Sequence, residues 1–206
     1  MASVPAAKLI LVTAQPTASW DHHRWTPDDA RQRLANYTVE DVLALPDDAP
    51  RVELDDGVLV VVPSPAFSHQ KIGHRLWRWF DDNVPKDLEP SGALGVLINN
   101  RNTLEPDVVL LRKPTVHEHH YFEPDQVVIA VEVVSPGTKK RDRLIKPEAY
   151  ARAGVPHYWR IEQDPVHVYA YELDEAGEYQ LVADSDTELV LERPFPIRLP
   201  IGAIAA

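Results

Sequence analysis

The chain has 206 residues, of which 44% are hydrophobic and 26% are charged, a composition typical of one globular domain. Its 21 Lys and Arg residues against 32 Asp and Glu residues give a formal charge of −11, which argues against a broad basic surface that coats nucleic acid. Because cysteine is absent, disulfides, zinc–thiolate sites and thiol nucleophiles are excluded. A metal would need oxygen or imidazole ligands, which favours Mg²⁺ or Mn²⁺.

The N-terminal 36 residues show neither a hydrophobic period nor a motif. No stretch of the chain approaches the roughly 18 consecutive apolar residues of a membrane helix, and residues 1–11 lack the basic flank of a signal peptide. We therefore expect a cytoplasmic protein that does not bind membranes. Residues 1–36 are predicted to form an N-terminal arm, and residues 37–206 the folded domain.

Regular patterns begin just after the arm. Thr38 is a suitable N-cap for a short helix over VEDVLAL, which ends before Pro46. The runs RVEL and VLVVV then flank Asp55-Asp56-Gly57, where glycine supplies the positive φ of a tight turn. This segment predicts a short helix followed by a β-hairpin.

The rest of the chain alternates between helical and strand patterns. Apolar residues at helical spacing predict a helix over residues 66–84. The runs LGVLI, DVVLL and QVVIAVEVV are short and rich in β-branched residues, which is typical of buried strands. A helix over residues 142–153 precedes the strand patterns HYWRIE and VHVYAYEL. The order predicts an α/β fold, a mixed sheet with helices on its faces.

Two carboxylates stand out against this pattern. Glu132 lies inside VVIAVEVVS, where an acid is costly to bury unless it meets a cation or hydrogen-bond donors. The alternative is a Glu at the end of the strand, turned to solvent or paired with an arginine. Asp107 begins the run DVVLL, 25 residues earlier, and is either a structural turn residue or a second ligand for one hard cation.

Three other groups are weaker candidates. Glu53 alternates with apolar neighbours in RVELDDG, so its side chain faces either water or the site. His69 lies on the inward stripe of its helix and is either a core histidine or a site residue. The His-Glu-His-His run at residues 117–120 lies between prolines in a segment without a period, which favours an exposed loop over a metal site.

Lys146 ends the basic stretch KKRDRLIK, which follows Glu132 closely. The stretch is either a solvated face or a source of positive charge beside a metal, where it would stabilise a phosphate under attack. Arg141 and Arg143 compete with Lys146, but arginine cannot act as a base in proteins. Pro147 fits best as the first residue of a helix, which leaves the direction of Lys146 unexplained.

These residues together resemble the Uma2 family, also called DUF820, of the PD-(D/E)XK nuclease superfamily. The resemblance covers residues 37–171 and is strongest in the S-P, D-x-x-x-K and G-V-P-x-Y-W elements of VVIAVEVVSPGTKKRDRLIKPEAYARAGVPHYWRIE. It implies a restriction-endonuclease-like core, in which a central mixed sheet is flanked by helices and the metal site lies where the sheet opens.

The resemblance also assigns residues. The family's P-D falls on Pro106-Asp107, its strand acid on Glu132, its early Glu on Glu53 and its His-Gln pair on His69-Gln70. In the superfamily's plain form a lysine stands two positions after the strand acid, but here that position is Val134. The resemblance implies that Lys146, from the following helix, takes this place.

The leading hypothesis is therefore a Mg²⁺- or Mn²⁺-dependent endonuclease that cleaves DNA. Asp107, Glu132 and Glu53 would bind the ion, Lys146 would assist the nucleophile, and His69 would contact a proton or a phosphate. One alternative is a catalytically silent nucleic-acid-binding or interaction domain that keeps the fold. Another is a metal-free glycosidase-like enzyme that uses the two strand acids, and a homodimer is left open.

Overall fold

The computed structural model describes residues 26–46, 49–116 and 119–205. Within these ranges the helices are α1 Asp29–Arg33, α2 Val39–Leu43, α3 Phe67–Asn83, α4 Lys146–Arg152 and α5 Ile201–Ile204, with a 3₁₀ turn Pro124–Gln126 and a π-helical turn Arg141–Ile145. The strands are β1 Val52–Asp55, β2 Val58–Val61, β3 Leu88–Gly92, β4 Gly95–Asn99, β5 Asn102–Leu104, β6 Val108–Arg112, β7 Tyr121–Phe122, β8 Val127–Val133, β9 His157–Gln163, β10 Val166–Leu173, β11 Tyr179–Ser185, β12 Glu188–Leu191 and β13 Ile197–Pro200.

A six-stranded sheet, ordered β11-β10-β9-β8-β6-β3, forms the centre. Strands β8 and β9 run parallel, and the π-helical turn and α4 connect them across one face of the sheet. Alternate residues of β6 show the two layers: Val108 and Leu110 pack with the core beneath α3, while Val109 and Leu111 pack with the core beneath α4. The predicted mixed sheet flanked by helices is confirmed.

A second sheet was not anticipated from the sequence. It has the order β2-β1-β5-β4-β7, and a separate two-stranded sheet pairs β12 with β13. The predicted hairpin is confirmed as β1 and β2, with Asp56 and Gly57 at φ 45° and 82° in the turn. Thr38 caps α2 with the help of Asp41, as its position suggested.

The described part of the N-terminal arm contacts the hairpin. The Gln32 side chain donates to the Leu59 carbonyl at 2.9 Å and accepts from the Leu59 amide at 2.8 Å. Tyr37 donates its amide to the Gly57 carbonyl at 3.0 Å. The two Gln32 bonds tie α1 to β2, and a domain boundary at residue 37 stays a prediction.

The helix predicted over residues 142–153 has two parts. Residues 141–145 form the π-helical turn, and α4 begins at Lys146 with Pro147 in its first turn. Proline has no amide hydrogen to donate within a helix and is favoured in a first turn, so the backbone changes its winding just before Pro147. The irregular turn explains Pro147 and directs Lys146 inwards.

Within the described ranges, we find no helix that has both the length and the apolar character needed to cross a membrane.

Candidate active site

Glu132 is the buried centre of the site. Its side chain is 2% exposed and leaves β8 towards α4. The Lys146 ammonium donates to Oε2 of Glu132 at 2.9 Å, and the Tyr150 hydroxyl donates to Oε1 at 2.9 Å. Residues 146 and 150 lie four apart on one helix and share a face, so α4 supplies both donors. The acid in this strand thus meets both a cation and a hydrogen-bond donor, as its burial requires.

Lys146 also joins this strand to the second sheet. Its Nζ lies 3.1 Å from Oε1 of Glu53, which is equally buried on β1, and 3.9 Å from Oδ1 of Asp142. Arg141 reaches Oε2 of the same Glu53 at 2.8 Å. Glu53 therefore faces the site rather than water. One ammonium group stands between three buried carboxylates, at the place where the two sheets meet.

Asp107 lies directly before β6, which neighbours β8 in the central sheet. Its backbone amide donates to the Val131 carbonyl at 3.0 Å, and its Oδ2 accepts from the Val133 amide at 2.8 Å. His69, on the first turns of α3, places Nε2 3.1 Å from the same oxygen. The structure thus brings the five predicted side chains into one region, with Asp107 24% exposed at its edge.

The position where a lysine would normally follow the strand acid holds Val134. Its side chain is 3% exposed, and its amide continues the pairing with β9 by donating to the Ile161 carbonyl at 2.8 Å. Residues two apart on a strand face the same side, so a lysine here would reach the same region as Glu132. Lys146 supplies the charge from the helix instead.

The electrostatics of the cluster are dominated by burial. Burial lowers the pKa of Lys146, but the carboxylates of Glu132 and Glu53 outweigh it and raise the pKa above the ordinary lysine value. Burial raises the pKa of Glu132, and Lys146 opposes that rise. With donor and acceptor 2.9 Å apart, the geometry favours the ion pair. In this arrangement Lys146 therefore carries a positive charge.

His69 and Asp142 are also shifted. Burial lowers the pKa of His69, but the hydrogen bond to Asp107 and the charge of that carboxylate together outweigh it, so the pKa is raised overall and the imidazolium form is favoured. Burial raises the pKa of Asp142, while Lys146 and a hydrogen bond from Thr138 oppose the rise. Both groups hold a proton more readily than they would in water.

Sequence reasoning missed two members of the cluster, Asp142 and Tyr150, as site residues. Asp142 is 2% exposed and accepts a hydrogen bond from Thr138. Its spacing of four from Lys146, repeated from Lys146 to Tyr150, was the available signal, because such spacing places side chains on one helical face. The basic run around Asp142 made it look like a solvated residue.

The described part of the histidine-rich run at residues 117–120 lies away from the candidate site. His117 and Glu118 lie outside the described residues, and His119 and His120 border cavities away from Asp107 and Glu132. Within residues 26–46, 49–116 and 119–205, no group of three or more acidic or histidine side chains is arranged to hold one metal ion.

A cleft of about 340 Å³ opens beside Asp107. Helix α3 forms one wall with His69, Gln70, His74 and Trp77, and the turn after β3 forms another with Gly92 and Ala93, while Pro65, Gly73 and Arg51 complete the lining. Arg51 is held at the cleft by Glu105, with contacts of 2.9 and 3.1 Å. The cleft gives the candidate site an open side.

Comparison with known proteins gives one family and one fold. Residues 39–202 match the Uma2 family, described as "Putative restriction endonuclease". A crystal structure from Anabaena variabilis ATCC 29413, described as "a putative nuclease belonging to DUF820", aligns with a TM-score of 0.62 at 18% identity, covering 81% of this chain and 96% of that one. At that identity the likeness shows the fold. The comparison with curated proteins gives no match.

Proposed function

Because the chain belongs to the Uma2 family, we propose that it is a divalent-metal-dependent endonuclease that hydrolyses phosphodiester bonds of DNA in the cytoplasm. Asp107 and Glu132 hold the ion, and Glu53 completes the acidic site directly or through water. Lys146 stabilises charge on the phosphate, and His69 contacts a proton or a phosphate oxygen. The observation that carries the proposal is the excess of buried negative charge around Lys146.

The charges of the cluster can be counted. Four carboxylates meet there: Glu53, Asp107, Glu132 and Asp142. Three cations face them: Lys146, Arg141 and the imidazolium of His69 beside Asp107. Four negative charges against three positive ones leave a formal charge of −1 in a largely buried region, and burial raises the pKa of Glu132 and of Asp142. A divalent cation would offset this negative charge, and oxygen donors are the ligands that Mg²⁺ and Mn²⁺ prefer.

Asp107 has the more accessible oxygen for such an ion. Its Oδ2 already accepts from the Val133 amide and faces His69, whereas no described residue donates to Oδ1. Both oxygens of Glu132 carry one donor each and retain a second acceptor site. When bound, a divalent ion would polarise the phosphate and lower the pKa of a bound water.

Side chains of the protein supply the remaining functions of the proposed site. Lys146 keeps its proton, so its ammonium balances the negative charge that builds on the phosphate oxygens during attack. Tyr150 and Lys146 hold the Glu132 carboxylate in one orientation through its two oxygens. His69, with its raised pKa, donates to Asp107 and holds a proton at the edge of the cleft. The cleft admits the substrate at Asp107.

The test is cleavage of a supercoiled plasmid with Mg²⁺, with Mn²⁺ and with EDTA. We expect metal-dependent cleavage, and Glu132→Gln should lower its rate at least about a hundredfold, since it removes a charge at the reacting centre. Glu178→Gln is the matched control, because this exposed acid lies between β10 and β11, far from the cluster in the chain. Equal cleavage by wild type and Glu132→Gln would refute the assignment, and full activity in EDTA would refute the metal.

One observation favours the alternative of a silent nucleic-acid-binding domain. The described residues contain no ready group of three metal ligands, and Glu132 is committed to Lys146 and Tyr150. Under this alternative the plasmid stays intact with either metal, while binding of the same DNA persists in a gel-shift assay.

A further inference from the structure

The reacting groups of the proposed nuclease are recessed. Glu132 and Lys146 are 2% and 7% exposed, whereas Asp107, at 24% side-chain exposure, borders the cleft beside α3. Asp107 and His69 line that cleft, so a phosphodiester approaches the cluster through it. The shape and chemistry of the cleft therefore determine which nucleic acid fits.

The α3 wall of the cleft carries two aromatic rings. Gln70, His74 and Trp77 lie at helical spacing on one face of the helix. The indole Nε1 of Trp77 donates to the Pro90 carbonyl at 3.0 Å, which fixes the ring against β3. The exposed His74 ring stacks on it, with the centroids 6.0 Å apart and the planes 22° apart. Such a wall suits the face of a nucleobase.

We propose that the cleft binds one unpaired nucleotide of the substrate, with its base against His74 and Trp77 and its phosphate at Asp107. The inference rests on the proposed nuclease function. A cavity of about 340 Å³ is near the lower end of the range of small-molecule sites, about 300 to 1,000 Å³, which matches one nucleotide and not a stacked base pair.

The recessed site and the narrow cleft together point to a substrate class. A nucleotide within an intact duplex must leave its stack to enter, which costs free energy. That cost is smallest for a base that is already unpaired, and stacking on the aromatic wall offsets what remains. The preferred substrates are therefore single-stranded DNA and duplexes that carry a bulged or flapped nucleotide.

Binding can be tested without cleavage. In metal-free ¹H–¹⁵N spectra of the whole chain, we expect dAMP to shift the Trp77 indole signal, which is assigned with Trp77→Phe. Deoxyribose 5-phosphate, which lacks the base, should shift it much less. A Trp77 signal that dAMP leaves in place, or that both probes move equally, would overturn the proposed base contact.

Selectivity is tested by the ratio of cleavage rates on a single-stranded oligonucleotide and on its duplex. Wild type should favour the single strand, and His74→Ala should reduce that ratio about five- to tenfold through the lost stacking. His167→Ala is the matched control, an imidazole stacked on Tyr169 outside this cleft. A wild type that cuts duplex equally fast, or an unchanged ratio in His74→Ala, contradicts the inference.

The two proposals fail in different ways. Cleavage of duplex alone, without a Trp77 shift, keeps the nuclease and removes the nucleotide site. A base-dependent Trp77 shift without cleavage of any substrate keeps the nucleotide site and removes the nuclease.

Discussion

Replacing Lys146 with Met should separate the structural from the catalytic role of the ammonium group. Methionine keeps most of the apolar stem and removes the charge that stands 2.9 Å from Glu132 and 3.1 Å from Glu53. Both carboxylates are almost fully buried, and removing one partner of a buried ion pair costs about 3 to 5 kcal/mol. We expect a loss of that size in the free energy of unfolding, measured by urea denaturation of the metal-free protein.

A second substitution shows which charge is responsible. In Lys146→Met combined with Glu132→Gln, the Glu132 charge is gone and Glu53 keeps Arg141 at 2.8 Å, so more than half of the lost free energy should return. Cleavage should not return, and both variants should stay at least about a hundredfold slower than wild type. Lys139→Met, an exposed lysine of the same basic stretch, is the control and should change stability by less than about 0.5 kcal/mol.

Two results would contradict the proposed role of Lys146. If Lys146→Met unfolds at the wild-type urea concentration and cleaves at the wild-type rate, the ammonium neither compensates the buried acids nor serves the reaction. If stability falls but cleavage persists, Lys146 is a structural cation, and the proposed charge stabilisation during attack is wrong.

Three other predictions concern Tyr150, His157 and the N-terminal residues. Tyr150→Phe removes a hydrogen bond to a buried carboxylate and should lower the free energy of unfolding, measured by urea denaturation, by about 1.5 to 3 kcal/mol. An unchanged free energy of unfolding would contradict this prediction. Burial lowers the pKa of His157, so the unfolded state binds more protons and stability should fall as pH drops below about 6.5. His157→Gln should flatten this part of the stability–pH profile, and an unchanged profile would contradict the assignment. A protein that lacks residues 1–34 should still fold, with a loss of about 1 to 3 kcal/mol in thermal or urea unfolding from the two hydrogen bonds of Gln32; failure to fold would show that α1 belongs to the core.

The two strand acids could be identified from the sequence because the signal comes from their immediate neighbours in the chain. Glu132 stands out as the one charged residue in a seven-residue buried strand, and Asp107 directly precedes the neighbouring strand. The direction of Glu53 could not be read in the same way. Period-two alternation left its face open, since β1 is buried on both sides, against the core near Tyr37 and against Lys146.

Other features depend on pairing that is distant in the chain. Strand β5 has three residues and pairs with β1 through Leu54 and Thr103, so its short run gives no periodic signal of a second sheet. Strand β3 reads LEPSG, and proline and glycine disfavour a strand except at an edge, which is where β3 lies. The π-helical turn at residues 141–145 has no periodic signal of its own, and Pro147 marks only where the regular helix begins.

The distance in sequence between Glu53 and Lys146 has a consequence during synthesis. The two residues are 93 positions apart, so at about 5 to 20 residues per second the ribosome makes the lysine about 5 to 20 s after the glutamate. Until then the acids of β1 and β8 lack their ammonium partner and repel each other, which opposes docking of the second sheet on the first. An unfinished chain would therefore carry no assembled cluster until its translation has passed α4.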